Sequence, residues 1–386
     1  MKKNNIISMA VLAMFAFTSC CNEPQVKNVI YLIGDGMGFG AVSTLLLSED
    51  EQTGFEMAPV IGIHETCSAN NYVTDSAAGG TALATGTRTN NGYVGADPDG
   101  NQLTSVLRKA QTYGMKTGIV VNTTLTEATP GAFYGGVTSR KFVYDIAKQF
   151  TESEVDLAIG GGLDHFVGRP DSLDLTATLI EKGYDVYLNW ETVLETESDK
   201  FVGILPLYDL HRREENNGTA SAAEGQEVCL AAQMAALNED ASREHLSEPT
   251  VYLEKATAKA LDVLSRNNKN GFFLMIEGSC IDDWCHANKV GYAVEEILDF
   301  DRTVGLVLEW AAKDGETLVI VTADHSTGAM TLCGGKVEEQ RVAVNFANTG
   351  HNGVALPVYA WGPRAEEFVG IYENAELSNK IKALIK

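Results

Sequence analysis

At 386 residues, the chain has room for one large α/β domain or two modest ones. Its 45% hydrophobic and 21% charged content is that of a globular protein and excludes a disordered one. A formal net charge of −23 excludes nucleic acid as a partner, because phosphate backbones select positive surfaces.

The first element is a targeting segment. Lys2 and Lys3 form a charged start, and Ile6 to Phe17 form an apolar stretch too short to span a bilayer. Thr18-Ser19-Cys20 follows and resembles a loose bacterial lipobox. Residues 1–19 are therefore expected to be a lipoprotein-type signal peptide, and residues 20–386 a single mature domain. Cys20 would be the lipidated first residue of an exported periplasmic or outer-membrane lipoprotein, tethered to the membrane through that lipid. An ordinary cleaved signal is the alternative. The six later cysteines, Cys21, Cys67, Cys229, Cys280, Cys285 and Cys333, show no zinc-ribbon spacing and read as mostly buried small apolar residues.

Three apolar runs end abruptly in an acidic residue or glycine. Val29-Ile30-Tyr31-Leu32-Ile33 precedes Gly34-Asp35-Gly36, and Phe272-Phe273-Leu274-Met275-Ile276 precedes Glu277-Gly278. Leu318-Val319-Ile320-Val321-Thr322 precedes Ala323-Asp324-His325. Such runs, separated by helical stretches, indicate buried strands of a mainly parallel sheet, and ligands bind beyond the carboxyl ends of such strands. Acids often follow strands because loops are polar, yet three of them at one edge point to a site. Between about Glu195 and Pro249 the texture turns loop-like, predicting an insertion over that edge. A helix from Tyr252 to Ser265 returns the chain to the sheet, with Leu253, Ala256, Ala260, Leu261 and Leu264 at helical spacing.

The candidate chemistry begins at Thr74-Asp75-Ser76-Ala77-Ala78-Gly79-Gly80. A serine followed by small residues reads as a helix start, where free N–H groups and the helix dipole favour an anion. Asp75 or Ser76 serving only as an N-cap explains this stretch equally well. The chain has seven histidines, and any one of them alone is an ordinary satisfied side chain. His286 follows Asp282 by four residues, so on a helix the two share a face. His325 adjoins Asp324, and His351 lies in the glycine-flanked Thr349-Gly350-His351-Asn352-Gly353. Mixed imidazole and carboxylate donors at one sheet edge favour zinc.

Seven stretches in order resemble the alkaline phosphatase family. They are Ile33 to Gly38, Asp75-Ser76-Ala77, Ala128-Thr129-Pro130, Thr138-Ser139-Arg140-Lys141, Glu277-Gly278-Ser279 with Asp282 and His286, Thr322 to His325, and Gly350-His351. The resemblance runs through nearly the whole mature chain. It implies a three-layer α/β sandwich with a mainly parallel central sheet and helices on both faces. It also implies hydrolysis of small phosphate monoesters through a phosphoserine at Ser76, with Arg140 clamping phosphate oxygens. Two zinc ions (Zn2+) and one magnesium ion (Mg2+) are implied as cofactors. One zinc would be held by Asp35, Asp324 and His325 and would meet Ser76; the second would be held by Asp282, His286 and His351. Magnesium would sit near Asp35, Thr129 and Glu277, an all-oxygen set suited to a hard cation. Members are commonly homodimers, which the resemblance extends to this chain.

Two positions depart from the pattern. Glu127 stands two residues before Thr129, where relatives commonly carry Asp or His, and a longer carboxylate there would reach the metal or displace a water. Asp283 follows Asp282, where relatives often carry Lys, His or Trp; a carboxylate facing the site repels a substrate dianion, unless it turns to solvent while Trp284 packs. A phosphodiesterase of the same superfamily, or a catalytically silent surface lipoprotein, is the competing reading.

Overall fold

The computed structural model describes residues 25–48, 52–205, 226–229, 253–339 and 341–386. The expected signal segment, Cys20, Cys21 and most of the stretch from 206 to 252 lie outside the described residues. The strands are β1 (Asn28–Gly34), β2 (Val60–Glu65), β3 (Lys116–Thr124), β4 (Leu157–Gly161), β5 (Asp185–Tyr187), β6 (Phe201–Ile204), β7 (Gln226–Cys229), β8 (Phe272–Gly278), β9 (Thr317–Thr322), β10 (Ser326–Thr327), β11 (Thr331–Lys336), β12 (Arg341–Asn345), β13 (His351–Asn352), β14 (Leu356–Trp361) and β15 (Gly370–Glu373). Ten of them form one sheet in the order β15-β2-β14-β9-β1-β8-β3-β4-β6-β5. Its pairings are parallel except where β14 runs against β2 and β9. The mainly parallel sheet read from the apolar runs is the one observed.

Because successive strand residues point to opposite faces, β1 feeds two cores at once. Ile30 and Leu32 pack with Leu261 and Leu264 of the helix Leu253–Ser265 and with Val294, Ile297 and Val304 of the helix Val290–Asp314. Val29, Tyr31 and Ile33 pack with Ala77 and Leu83 of the helix Ser76–Thr85, Phe133 of the helix Ala128–Tyr134 and Leu377 of the helix Asn374–Leu384. Helices thus cover both faces, and every residue of β1 is buried. Each large apolar side chain sequestered this way contributes about 1.5–3 kcal/mol. That burial fixes the strand ends, and with them the loops that carry polar residues.

β6 lies inside the stretch expected to be an insertion from about 195, yet it pairs parallel with β4 and β5 and all four of its residues are buried. Its run, Phe201-Val202-Gly203-Ile204, is only four residues long and interrupted by glycine, so it stands out less than the five-residue apolar runs. The small strand β7 joins β12 in a second sheet, β11-β12-β7. Cys280 and Cys285 are buried, and Cys333 is exposed. No helix among the described residues is long and apolar enough to cross a membrane.

Candidate active site

The four adjacent central strands β9, β1, β8 and β3 deliver the polar residues to one edge. Asp35 follows β1, Glu277 closes β8 with Gly278, Asp324 and His325 follow β9, and Glu127 and Thr129 follow β3. Two glycines let the elements close in. A Cβ on Gly36, at φ +72°, would lie 2.8 Å from the Asp282 backbone, so only glycine lets the helix Cys280–His286 reach Asp35. A Cβ on Gly80 would lie 2.9 Å from the Thr129 Cα, so this glycine seats the helix Ser76–Thr85 against the helix Ala128–Tyr134.

The choice between Asp75 and Ser76 as the cap is settled by geometry. Asp75 accepts a hydrogen bond from the Ala78 N–H at 2.9 Å and another from the Gly92 N–H at 2.8 Å. The Ser76 hydroxyl is therefore not used as a cap. It lies 3.0 Å from His325 Nε2, and an Arg140 terminal nitrogen donates to it at 3.4 Å. Arg140 is partly buried while Lys141 is exposed, which identifies Arg140 as the residue facing the serine. Its backbone N–H donates to the Gly92 carbonyl at 2.7 Å.

Around Ser76 the acidic and imidazole side chains form two donor sets. Asp35, Asp324 and His325 present ligand atoms all within 4.8 Å of one another, and so do Asp282, His325 and His351. His325 belongs to both, lying 3.2 Å from Asp324 Oδ2 and 3.3 Å from Asp35 Oδ1 through Nε2. Thr327 fixes its tautomer. The threonine hydroxyl donates to Asp282 Oδ1, so its oxygen accepts from His325 Nδ1–H at 3.2 Å. The Nε2 lone pair is left facing Ser76, Asp35 and Asp324.

The remaining two imidazoles are more telling. His286 Nδ1 meets the Thr349 carbonyl at 2.5 Å, and His351 Nδ1 meets the Thr74 carbonyl at 3.0 Å. A carbonyl only accepts, so each Nδ1 carries the proton. The two Nε2 atoms are nonetheless 3.1 Å apart, and His286 Nε2 is 3.2 Å from Asp282 Oδ2. Two neutral imidazoles would point lone pairs at each other, an arrangement that requires a proton or a cation. Burial pushes the pKa of His325 down to about 4, which keeps it in the neutral, ligating form. Hydrogen bonding to Asp282 pushes His286 up to about 9, a proton that a divalent cation would displace.

Oxygen donors gather beside the buried set. Asp35 Oδ1, Asp324 Oδ2, Thr129 Oγ1 and both Glu277 carboxylate oxygens are buried with no hydrogen-bond partner. Burial and the nearby Asp324 push the Glu277 pKa up to about 8, and burial with Asp324, Asp282 and Glu277 raises Asp35 well above the carboxylate range. Unpaired buried carboxylates are costly. Cations among them relieve that cost, and the donor chemistry fits: imidazole with carboxylate suits zinc, and oxygen alone suits magnesium. Every residue expected at the site thus lies at this one edge.

Two features escaped the sequence, and a third is an alternative it offered. Thr327 links the two donor sets, and it has no motif beyond lying two residues after His325. Glu127 pairs with Arg140 at 3.3 Å. Asp283 is exposed, while Trp284 is buried against Tyr292 at a ring separation of 4.3 Å.

Comparison with known proteins matches this geometry. The sequence model of the family described as alkaline phosphatase matches residues 26–339. Alkaline phosphatase 4 of Bacillus subtilis (strain 168) is 28% identical over 95% of this chain and 90% of its own length. Streptomycin-6-phosphate phosphatase of Streptomyces griseus is 29% identical over 93% of this chain and 90% of its own. The alkaline phosphatase of the Antarctic bacterium TAB5 superposes with a TM-score of 0.79 at 32% identity, covering 94% of this chain and 98% of that one. A variant of the TAB5 enzyme is described with Mg bound in its M3 site. With the family model spanning most of its length and the serine, arginine and donor sets at one sheet edge, the chain belongs to the alkaline phosphatase family of phosphate-hydrolysing enzymes.

Proposed function

We propose that the chain hydrolyses phosphate monoesters to an alcohol and inorganic phosphate through a phosphoserine at Ser76, at a site for two zinc ions and one magnesium ion. One observation carries this reading: the Ser76 hydroxyl is free of capping duty and lies between His325 Nε2 and the Arg140 guanidinium. Asp35, Asp324 and His325 would hold one zinc, Asp282, His286 and His351 the other, and Asp35, Thr129 and Glu277 the magnesium. When bound, these ions supply the positive charge that activates a serine hydroxyl and offsets charge on the leaving oxygen.

The chain's own residues do the rest. Asp75 holds the helix start so that Ser76 Oγ faces the edge where a phosphorus atom would sit. Arg140 presents a planar fork to two phosphate oxygens, a geometry lysine cannot match. Oγ attacks phosphorus as the ester oxygen departs with its electron pair and takes a proton to become the alcohol. Water then attacks the phosphoserine, releasing phosphate and restoring Oγ. This local positive site reconciles anionic substrates with a chain of net charge −23. Export with a lipid on Cys20, and assembly as a homodimer, belong to the same proposal.

The test is kcat/KM for a chromogenic phosphate monoester and its matched diester on zinc- and magnesium-loaded protein. A strong monoester preference is expected. A diester preference would keep the fold and the zinc sets but take the phosphate clamp from Arg140 and the magnesium from its oxygen set.

A further inference from the structure

Ser279 precedes the helix Cys280–His286, the position where serine ordinarily caps, yet it makes no side-chain cap hydrogen bond. Its hydroxyl does not turn to water either. The residue is 6% exposed, and Oγ is buried without a hydrogen-bond partner. Its backbone is pinned from the other side: the Ser279 N–H donates to Asn122 Oδ1 on β3 at 2.8 Å. A buried hydroxyl left unpaired costs about 1–3 kcal/mol, so its neighbours matter.

Those neighbours are the oxygens around Glu277. The Ser279 and Thr129 hydroxyls both lie near enough to Glu277 to act on its carboxylate, without completing a hydrogen bond to it. Ser279 Oγ, Thr129 Oγ1, both Glu277 oxygens and Asp35 Oδ1 thus share one property, buried oxygen lone pairs with no donor. Glu127 does not fill the gap, because it faces Arg140.

We infer that the Ser279 hydroxyl is a fourth protein oxygen donor to the hard cation, beside Asp35, Thr129 and Glu277, with Asn122 as the residue that positions it. The assignment rests on the proposed magnesium site. A hydroxyl donor accounts for both the missing cap and the missing partner, and a hard cation takes oxygen ligands of this kind.

The measurement is Mg2+ affinity by calorimetric titration of zinc-loaded protein, with zinc content checked by elemental analysis. Ser279→Ala is expected to weaken Mg2+ about tenfold and leave two zinc ions bound. Ser279→Cys is expected to favour Cd2+ over Mg2+ at this site and to add a thiolate–cadmium absorption over wild type, whose natural cysteines serve as the background. Wild-type affinity in Ser279→Ala, with no added absorption in Ser279→Cys, overturns the donor assignment and leaves the magnesium reading standing. If wild-type protein itself binds no Mg2+ beyond its zinc, both fall together.

Discussion

The two imidazole-bearing donor sets differ in how they are held. Asp35, Asp324 and His325 are buried at the ends of central strands, with His325 and Asp324 at 0% exposure. Asp282, His286 and His351 sit on a seven-residue helix and a two-residue strand, partly open to solvent, with the His286 side chain 38% exposed. The first set is fixed by packing on both sides of a sheet. The second is fixed by hydrogen bonds to two carbonyls and to Thr327. Burial makes the first set expensive to leave without cations; exposure makes the second easier to empty.

The harshest way to break the comparison is chelation. Removing the ions is expected to cut phosphatase turnover by at least about a thousandfold, with one zinc leaving well before the other in a timed metal analysis. Simultaneous loss of both would mean that the two sets do not differ in hold. Single imidazoles come next. His325→Ala is expected to lose the buried zinc and about 2–4 kcal/mol of stability, because its removal strands Asp35 and Asp324. His286→Ala is expected to lose one zinc and less than about 1 kcal/mol. A stability loss in His325→Ala no larger than that in His286→Ala would contradict the difference in hold.

Behind the buried set lies a support that the open set lacks. His64 on β2 reaches Thr322 Oγ1 at 3.0 Å, and Thr322 donates to the Pro357 carbonyl at 2.9 Å. Thr322 must therefore accept from His64 Nε2–H, tying β2, β9 and β14 just before Asp324. Burial lowers the His64 pKa to about 4. A depressed histidine pKa stabilises the fold above the unfolded value of about 6.5, and that stability is lost as pH falls toward 4. The loss is on the order of 3 kcal/mol. Denaturation of wild type and His64→Phe across this window checks it, since the variant should lose less over the same span. The smallest effect belongs to the rim. Asp283→Lys is expected to tighten phosphate product inhibition about two- to fivefold, because an exposed carboxylate near the site repels the dianion only weakly. Unchanged inhibition would show that Asp283 faces away from it.

The buried set was the legible one. Strands that end in acids announce themselves through continuous apolar runs, so the run boundaries alone place Asp35, Glu277 and Asp324 at one edge. His286 was placed by its four-residue spacing from Asp282, which held on the observed helix. β6 was not legible, because its apolar run is short, carries a glycine and does not end in an acid. Nor were Thr327 and the carbonyls of Thr74 and Thr349, whose roles come from tertiary placement alone. The Glu127–Arg140 pair was also hidden: chain order puts Glu127 beside Thr129, whereas the fold turns it to the arginine 13 residues along.

Gly92 joins two functional parts through its own backbone. Its N–H goes to Asp75, the residue before Ser76, and its carbonyl receives the N–H of Arg140. The proposed nucleophile and the proposed clamp are thereby yoked to one turn. A displacement of that turn carries both off target together, so warming or mild denaturant should shrink the number of competent molecules and leave the remainder working at full rate.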